Sequence, residues 1–167
     1  TLNNRHKSVG GQLAIDIERL LNHTLDDEQL SKMPAVLRDS RGRRYLQPDS
    51  VRISTSGSAG QSYGAFCNDG MLVCHSGTCN DGVGKGQCGG QIIVLSPGGG
   101  SPEPGGNVLV GNFALFGATG GRLFVQGQAG DRFAVRNSGA TAVVEGVGDF
   151  GCEYMTNGAV LNLGAYG

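Results

Sequence analysis

One glycine-punctuated unit recurs five times in the last two thirds of this chain, and no other feature restricts its fold as much. The copies span residues 60–77, 80–96, 111–127, 130–146 and 148–164, with starts 20, 31, 19 and 18 residues apart. Each opens with polar or glycine residues, carries a glycine near its middle, and then gives a short apolar run such as Met71-Leu72-Val73-Cys74 or Ile92-Ile93-Val94-Leu95. A Gly or Ser closes every run. Kinship shows most directly where Ala59-Gly60-Gln61-Ser62-Tyr63 aligns with Ala129-Gly130-Asp131-Arg132-Phe133. The step of 31 is one ordinary period plus about a dozen residues, supplied by a Pro/Gly/Ser loop at 97–106 that should protrude.

A period near 19 residues with one β-rich run per unit marks a coiled repeat whose units bury their apolar faces only against their neighbours. The fold class this predicts is all-β, a single-stranded β-helix. Equivalent runs would stack about 4.8 Å apart, so identical positions form ladders. Each coil must turn sharply two or three times, and glycine accepts the dihedrals and the close approach that such corners need. No repeat carries the 3.6-residue stripe of a helical solenoid.

Glycine is concentrated accordingly: three of the 31 precede residue 57 and 28 lie in the remaining 111 positions. The irregular spacing excludes collagen. Residues 1–56 hold nine Lys/Arg against seven Asp/Glu, and residues 57–167 four against seven, so neither part has the charge of a nucleic-acid binder. Arg38, Arg41, Arg43 and Arg44 form a local basic run, expected to be a solvated loop. No apolar stretch reaches the ~20 residues of a membrane span, and with no signal peptide the expected location is cytoplasmic. Five Cys, at 67, 74, 79, 88 and 152, include no Cys-x-x-Cys pair and should mostly be reduced.

Residues 1–56 read as a helical lead-in and cap, and 57–167 as the β-helix, together one structural domain. Ser8 is placed to cap a helix over 8–21 whose Leu13, Ile17, Leu20 and Leu21 share a face and cover the solenoid's end. Thr24, with Asp27 three residues on, resembles a second N-cap for a short helix through Gln29 and Leu30 that Pro34 stops.

The residues capable of chemistry have simpler structural explanations. Gly82-Val83-Gly84-Lys85-Gly86 resembles a phosphate loop but lacks the upstream Gly and the Ser/Thr after Lys85, so it reads as a β-helix corner with a solvated lysine. Cys74, His75, Cys79 and Cys88 are soft ligands at an unsuitable spacing; Cys74 should act as a small hydrophobe, with His75 on the opposite face of the strand. Asp81, Asp131 and Asp149 sit near copy starts, where carboxylates accept local backbone hydrogen bonds; the alternative is glycosidic hydrolysis by paired carboxylates. Ser138 has no His nearby in sequence for a triad, and Thr1 could be a nucleophile only as a processed N-terminus. No residue is therefore expected to be catalytic, cofactor-binding or metal-binding.

The repeat blocks resemble the GXGXG domain at the C-terminus of the glutamate synthase large subunit. The similar stretches are Gly57-Ser58-Ala59-Gly60-Gln61-Ser62-Tyr63-Gly64-Ala65-Phe66, Asn80 to Gly86 with Gly89-Gly90, and Gly111-Asn112 with Leu115 to Gly121. The most specific are Arg132-Phe133-Ala134-Val135-Arg136-Asn137-Ser138-Gly139-Ala140 and the blocks from Val143 to Asp149 and Gly151 to Thr156. Asn4-Arg5-His6-Lys7-Ser8-Val9-Gly10 is similar to the family's lead-in. Departures are Phe150 for His, Gly82 for Tyr, Gln87-Cys88 for a small apolar-Ser pair, and a longer connector over 32–50.

The resemblance implies a right-handed β-helix serving as non-catalytic scaffold in a glutamate synthase-type enzyme, which makes two glutamates from glutamine, 2-oxoglutarate and reductant. Its partners would be the amidotransferase and flavin synthase domains or subunits, with FMN and an iron–sulfur cluster held by those partners and no cofactor held by this chain. Neither nucleic acid nor membrane is an expected partner, and uncapped solenoid ends would also allow two copies to associate. Alternatives are the β-helix subunit of a glutamate-synthase-like amidotransferase complex or of formylmethanofuran dehydrogenase, and an independent carbohydrate- or ligand-binding β-helix.

Overall fold

Strand register reproduces the sequence period. A computed structural model describes residues 1–98 and 106–167. Strands β3 (Val51–Ala59), β4 (Met71–Cys79), β5 (Cys88–Leu95), β6 (Val108–Val110), β7 (Gly120–Val125), β8 (Gln128–Ala129), β9 (Ser138–Val147) and β10 (Asn157–Tyr166) pair in parallel, while β1 (Val36–Arg38) and β2 (Arg44–Leu46) form a separate antiparallel hairpin. Val51 stands opposite Met71, Leu72 opposite Gln91, Gln91 opposite Arg122, Arg122 opposite Thr141, and Thr141 opposite Ala159. The result is an all-β solenoid of about six turns with a short N-terminal helix.

Six rungs replace the five repeats legible in the sequence. The additional rung is β3, which runs through position 57, where the lead-in was expected to end. Its outward residues Arg52, Ser54, Ser56 and Ser58 are exposed and polar, so it carries no apolar run to announce it. The insertion enters a rung in mid-course: Leu95, at the end of β5, faces Ser76, whereas Val110 of β6 faces Cys79 of the same strand β4. Most of the loop expected at 97–106 lies outside the described residues.

Inward positions fill the lumen with side chains whose sizes compensate across it, as Ala142 with Phe133 and Leu123 with Ala114. Along the strand side Val73, Ile92, Leu123 and Ala142 are fully buried, and along the opposite side Tyr63, Val83, Ala114 and Phe133 are too. Large and small side chains complement each other across the lumen, as close packing at a fixed 4.8 Å spacing requires. Each buried aliphatic or aromatic side chain contributes about 1.5–3 kcal/mol.

The corners depart from the glycine expectation. In all five, every second residue has positive φ: Ser62, Gly64 and Phe66; Gly82, Gly84 and Gly86; Phe113, Leu115 and Gly117; Arg132, Ala134 and Arg136; Phe150, Cys152 and Tyr154. Ten of these fifteen positions are not glycine. Left-handed backbone costs about 1–2 kcal/mol per non-glycine residue. Hydrogen bonding between coils offsets it. In the second corner the N–H groups of Gly82 and Gly86 donate to Asn112 O and Phe116 O of the next coil, and that of Gly84 donates back to Tyr63 O. The third and fourth corners repeat this forward, backward, forward pattern.

The N-terminal end is covered as expected, with different details. Helix α1 (Gly11–Arg19) starts after Gly10 rather than at Ser8, and runs into a π-helical turn at Leu20–Thr24. Ser8 itself has φ 51 and donates its N–H to Gln61 O, so it completes the first corner instead of capping a helix. The covering face is Ala14, Ile17 and Leu21, whereas Leu13 and Leu20 are exposed. The i, i+3, i+7 spacing of that trio sets the buried side. Helix α2 (Asp27–Ser31) is capped by Asp26 in a reciprocal box with Gln29, two positions on from the cap predicted at Thr24.

Candidate functional site

Several of the groups singled out for chemistry are bound into the coil's own hydrogen bonding. Asp81 Oδ1 accepts from Asn112 N at 2.8 Å, Asn112 Oδ1 from Asp131 N at 3.0 Å, and Asp131 Oδ1 from Asp149 N at 3.0 Å. These side chains form a ladder along one edge, each satisfying the first amide of the next corner. Asp81 and Asp131 are backbone acceptors at the corners, but they bond to the next coil and not locally as expected, and Asp149 takes part through its amide. Gly82, Gly84 and Gly86 form the second corner, with Lys85 exposed at its crest.

The four soft ligands do not converge. Cys74 points outward and is half-buried, Cys79 is buried in the lumen, Cys88 is exposed at the start of β5, and His75 is buried. Alternation along β4 does put Cys74 and His75 on opposite faces, but the imidazole is inside and the thiol outside. Among the described residues no three His, Cys, Asp or Glu side chains cluster as metal ligands. Burial pushes the Cys67 and Cys79 thiols up to about 12, and desolvation raises Cys74, Cys88 and Cys152 as well. A thiol raised in this way is a weak nucleophile at neutral pH.

His75 is satisfied by a polar network inside the first two rungs. Its Nδ1 is 2.9 Å from Thr55 Oγ1, which is 2.7 Å from the Tyr63 hydroxyl, and its Nε2 is 3.1 Å from the carbonyls of both Gly57 and Thr78. Two carbonyls around Nε2 require a proton there, so in the neutral ring Nδ1 accepts from Thr55 and Tyr63 donates to Thr55. Burial pushes the Tyr63 hydroxyl up to about 12. This network was not anticipated from the sequence. Thr55 stands opposite His75 on β3, the rung that the sequence repeat does not announce, so the repeat alone could not pair the two.

A second network also went unforeseen. Arg43 donates to Glu18 Oε2 at 2.9 Å, Asp69 Oδ2 at 2.8 Å and Asn68 Oδ1 at 2.8 Å, joining the β1–β2 hairpin, α1 and the first corner. The Arg43 guanidinium holds the Glu18 carboxyl below its usual range. Arg38 and Arg44 both pair with Asp27. Arg43 and Arg44 are therefore ties to the N-terminal helices, whereas Arg38 and Arg41 are exposed, with the solvated character expected of the whole run.

Among the described residues, three of the surfaces that the coil leaves unused are apolar or aromatic. A mostly apolar groove of about 580 Å³ lies between α1 and the first corner, with Ile15, Phe66 and Cys88 in its lining. Around the last rung, β10, Phe150, Tyr154 and Tyr166 are exposed. The outward face of the parallel sheet carries a shallow depression of about 170 Å³ among Ile93, Leu95, Phe124 and Val143.

The repeated corner geometry coincides with a match over residues 29–167 to the profile of the GXGXG motif family. The chain belongs to that family. Its relatives include the glutamate synthase [NADH] of Schizosaccharomyces pombe (strain 972), 51% identical over 153 residues, which is 92% of this chain and 7% of that protein. The glutamate synthase [NADPH] large chain of Bacillus subtilis is 52% identical over 126 residues, 75% of this chain and 8% of that one. The ferredoxin-dependent glutamate synthase of Pyropia yezoensis is 54% identical over 117 residues, 70% and 8%. The chain thus spans less than a tenth of the length of the curated relatives it matches. In this chain residues 82–86 read Gly-x-Gly-x-Gly at the alternate positions of the second corner, and the other corners hold the same alternating backbone mostly with residues other than glycine. No helix among the described residues is long and apolar enough to cross a membrane.

Proposed function

We propose that this β-solenoid is a non-catalytic scaffold within a glutamate synthase-type enzyme, one that forms two glutamates from glutamine, 2-oxoglutarate and a reductant. It holds an amidotransferase part and a flavin- and iron–sulfur-bearing synthase part in fixed relation, with FMN and the cluster bound by those partners. The observation that carries this reading is the identity of about half the residues with a small, solenoid-sized portion of glutamate synthases. It is supported by the engagement of the Asp81, Asn112, Asp131 and His75 side chains in the coil's own hydrogen bonding, where each already has a structural partner. Such a part contributes position: a displacement of about 1 Å between reacting groups costs on the order of 100-fold in rate.

The test uses a full-length enzyme containing this chain. Lys85→Ala and Asp149→Ala, made separately, should leave turnover per assembled, flavin-loaded molecule within about twofold of the parent. A loss of turnover of about tenfold or more, with assembly and flavin content intact, would assign chemistry to the coil and overturn the scaffold reading.

A further inference from the structure

The outward face of the solenoid sheet changes character along its length. On β3 it is polar, with Ser54 in its middle column; the residues in register with Ser54 on the following rungs are Cys74, Ile93, Phe124, Val143 and Leu161. Four rung spacings make this an apolar stripe about 19 Å long. It is flanked by Leu72 on β4 and Leu95 on β5 and widens at β10, where Leu161 and Leu163 are 55% and 62% exposed. Arg122 borders it on one side and Glu145 on the other, and neither is ion-paired among the described residues. The lumen is closed without these side chains, because inward and outward positions alternate around this column, where Val73, Ile92, Leu123 and Ala142 point inward beside it. Contiguous apolar surface of this extent, rimmed by charge, marks an interaction site more often than a solvent face.

We propose that the Cys74–Ile93–Phe124–Val143–Leu161 stripe is the face on which the solenoid docks to the remainder of its own glutamate synthase polypeptide. The inference rests on the scaffold reading and adds the docking surface to it. The occupant follows from length: in the relatives more than nine tenths of the polypeptide lies outside the matched portion. A covalently linked partner acts at an effective concentration in the millimolar range, which a second free copy does not reach. The complementary surface is apolar, seats one side chain in the depression beside Phe124, and brings an acidic group to Arg122 and a cationic or amide group to Glu145.

The experiment places photoreactive benzoylphenylalanine at position 124 of the full-length enzyme, at Ser54 in the same column as a control, and at Phe66 and Tyr154 on the other unused surfaces. Crosslinked peptides are mapped by mass spectrometry. The expected result is a link from position 124 to residues of the same polypeptide outside this segment, in at least ~10-fold greater yield than from position 54. Links from 66 or 154 to that remainder, with none from 124, overturn this face and leave the scaffold reading standing. Links from 124 only within the solenoid or to a second copy overturn the proposal too. Absence of any link from all four positions to the remainder overturns both.

Discussion

Two glycines three residues apart separate what the corners need from what the rungs need. Gly117 has φ 63 and open space around its missing side chain, whereas Gly120, with ordinary φ, would place a Cβ 2.6 Å from the Cys88 carbonyl oxygen on the rung below. Gly117→Ala therefore meets only the left-handed penalty, about 1–2 kcal/mol. Gly120→Ala must open the β5–β7 spacing by roughly 0.8 Å to reach an ordinary contact of about 3.4 Å. Overpacking of that kind costs about 1–3 kcal/mol, and each ladder hydrogen bond stretched out of range adds about 1 kcal/mol, for a total near 2–4 kcal/mol. With a urea m-value of about 2 kcal/mol/M, the midpoint should fall by ~0.5–1 M for Gly117→Ala and by ~1–2 M for Gly120→Ala. Both variants add one methyl group, so composition and hydrophobicity cancel. If Gly120→Ala were no more costly than Gly117→Ala, the claim that rung spacing excludes a side chain there would be refuted.

The other predictions concern single ties. Glu18 has its carboxyl depressed chiefly by the hydrogen bond from Arg43, so the stability it contributes is complete above the ordinary carboxylate range and is lost as pH falls through its lower, folded value. Melting temperature followed from about pH 6 to about pH 3 should therefore drop less steeply in Arg43→Ala than in the parent, and an unchanged slope would contradict the pairing. Asp131→Asn should be nearly neutral, because Asn112 already performs the same acceptor role one coil earlier, whereas Asp131→Ala should cost about 1 kcal/mol by urea unfolding. Alkylation at about pH 8 should modify Cys88 long before Cys67 and Cys79, whose thiols burial pushes to about 12; equal rates in the native chain would show that the lumen opens.

The legibility of this chain from sequence follows from what repeats. The copies start 20, 31, 19 and 18 residues apart, and the matching strand registers are offset by 19, 31, 19 and 18, so the solenoid and the site of its insertion are legible in the sequence alone. The β3 rung was missed because burial there falls on Ile53 and Thr55 among serines, a weaker alternation than an apolar run. The β1–β2 hairpin and the Arg43 network were missed for another reason. The Arg43 contacts join residues 25 or 26 apart with no periodicity, and only the folded arrangement brings Glu18, Arg43 and Asp69 together. Glycine content pointed to the corners but mistook the rule. What is invariant from corner to corner is the positive φ at alternate positions, and Arg132, Ala134 and Arg136 adopt it because the coils on either side supply the hydrogen bonds.

That rule also explains how a rung tolerates a dozen extra residues. Each segment of a rung is held by the coils above and below it, not by its own continuity, so β5 can end at Leu95 and β6 resume at Val108 while both stay in register with β4. Closing a loop of about 12 residues costs roughly (3/2)RT ln 12, near 2 kcal/mol, and doubling its length would add only about 0.6 kcal/mol. The same length inserted into a corner would displace three alternating N–H donors at once and forfeit about 1 kcal/mol for each. Length variation therefore belongs in the rungs, whereas the corners hold a nearly constant span. The insertion leaves the solenoid beside Leu95, at the border of the apolar stripe, so variation in length at this position would alter the rim of the proposed docking face without disturbing the coil that supports it.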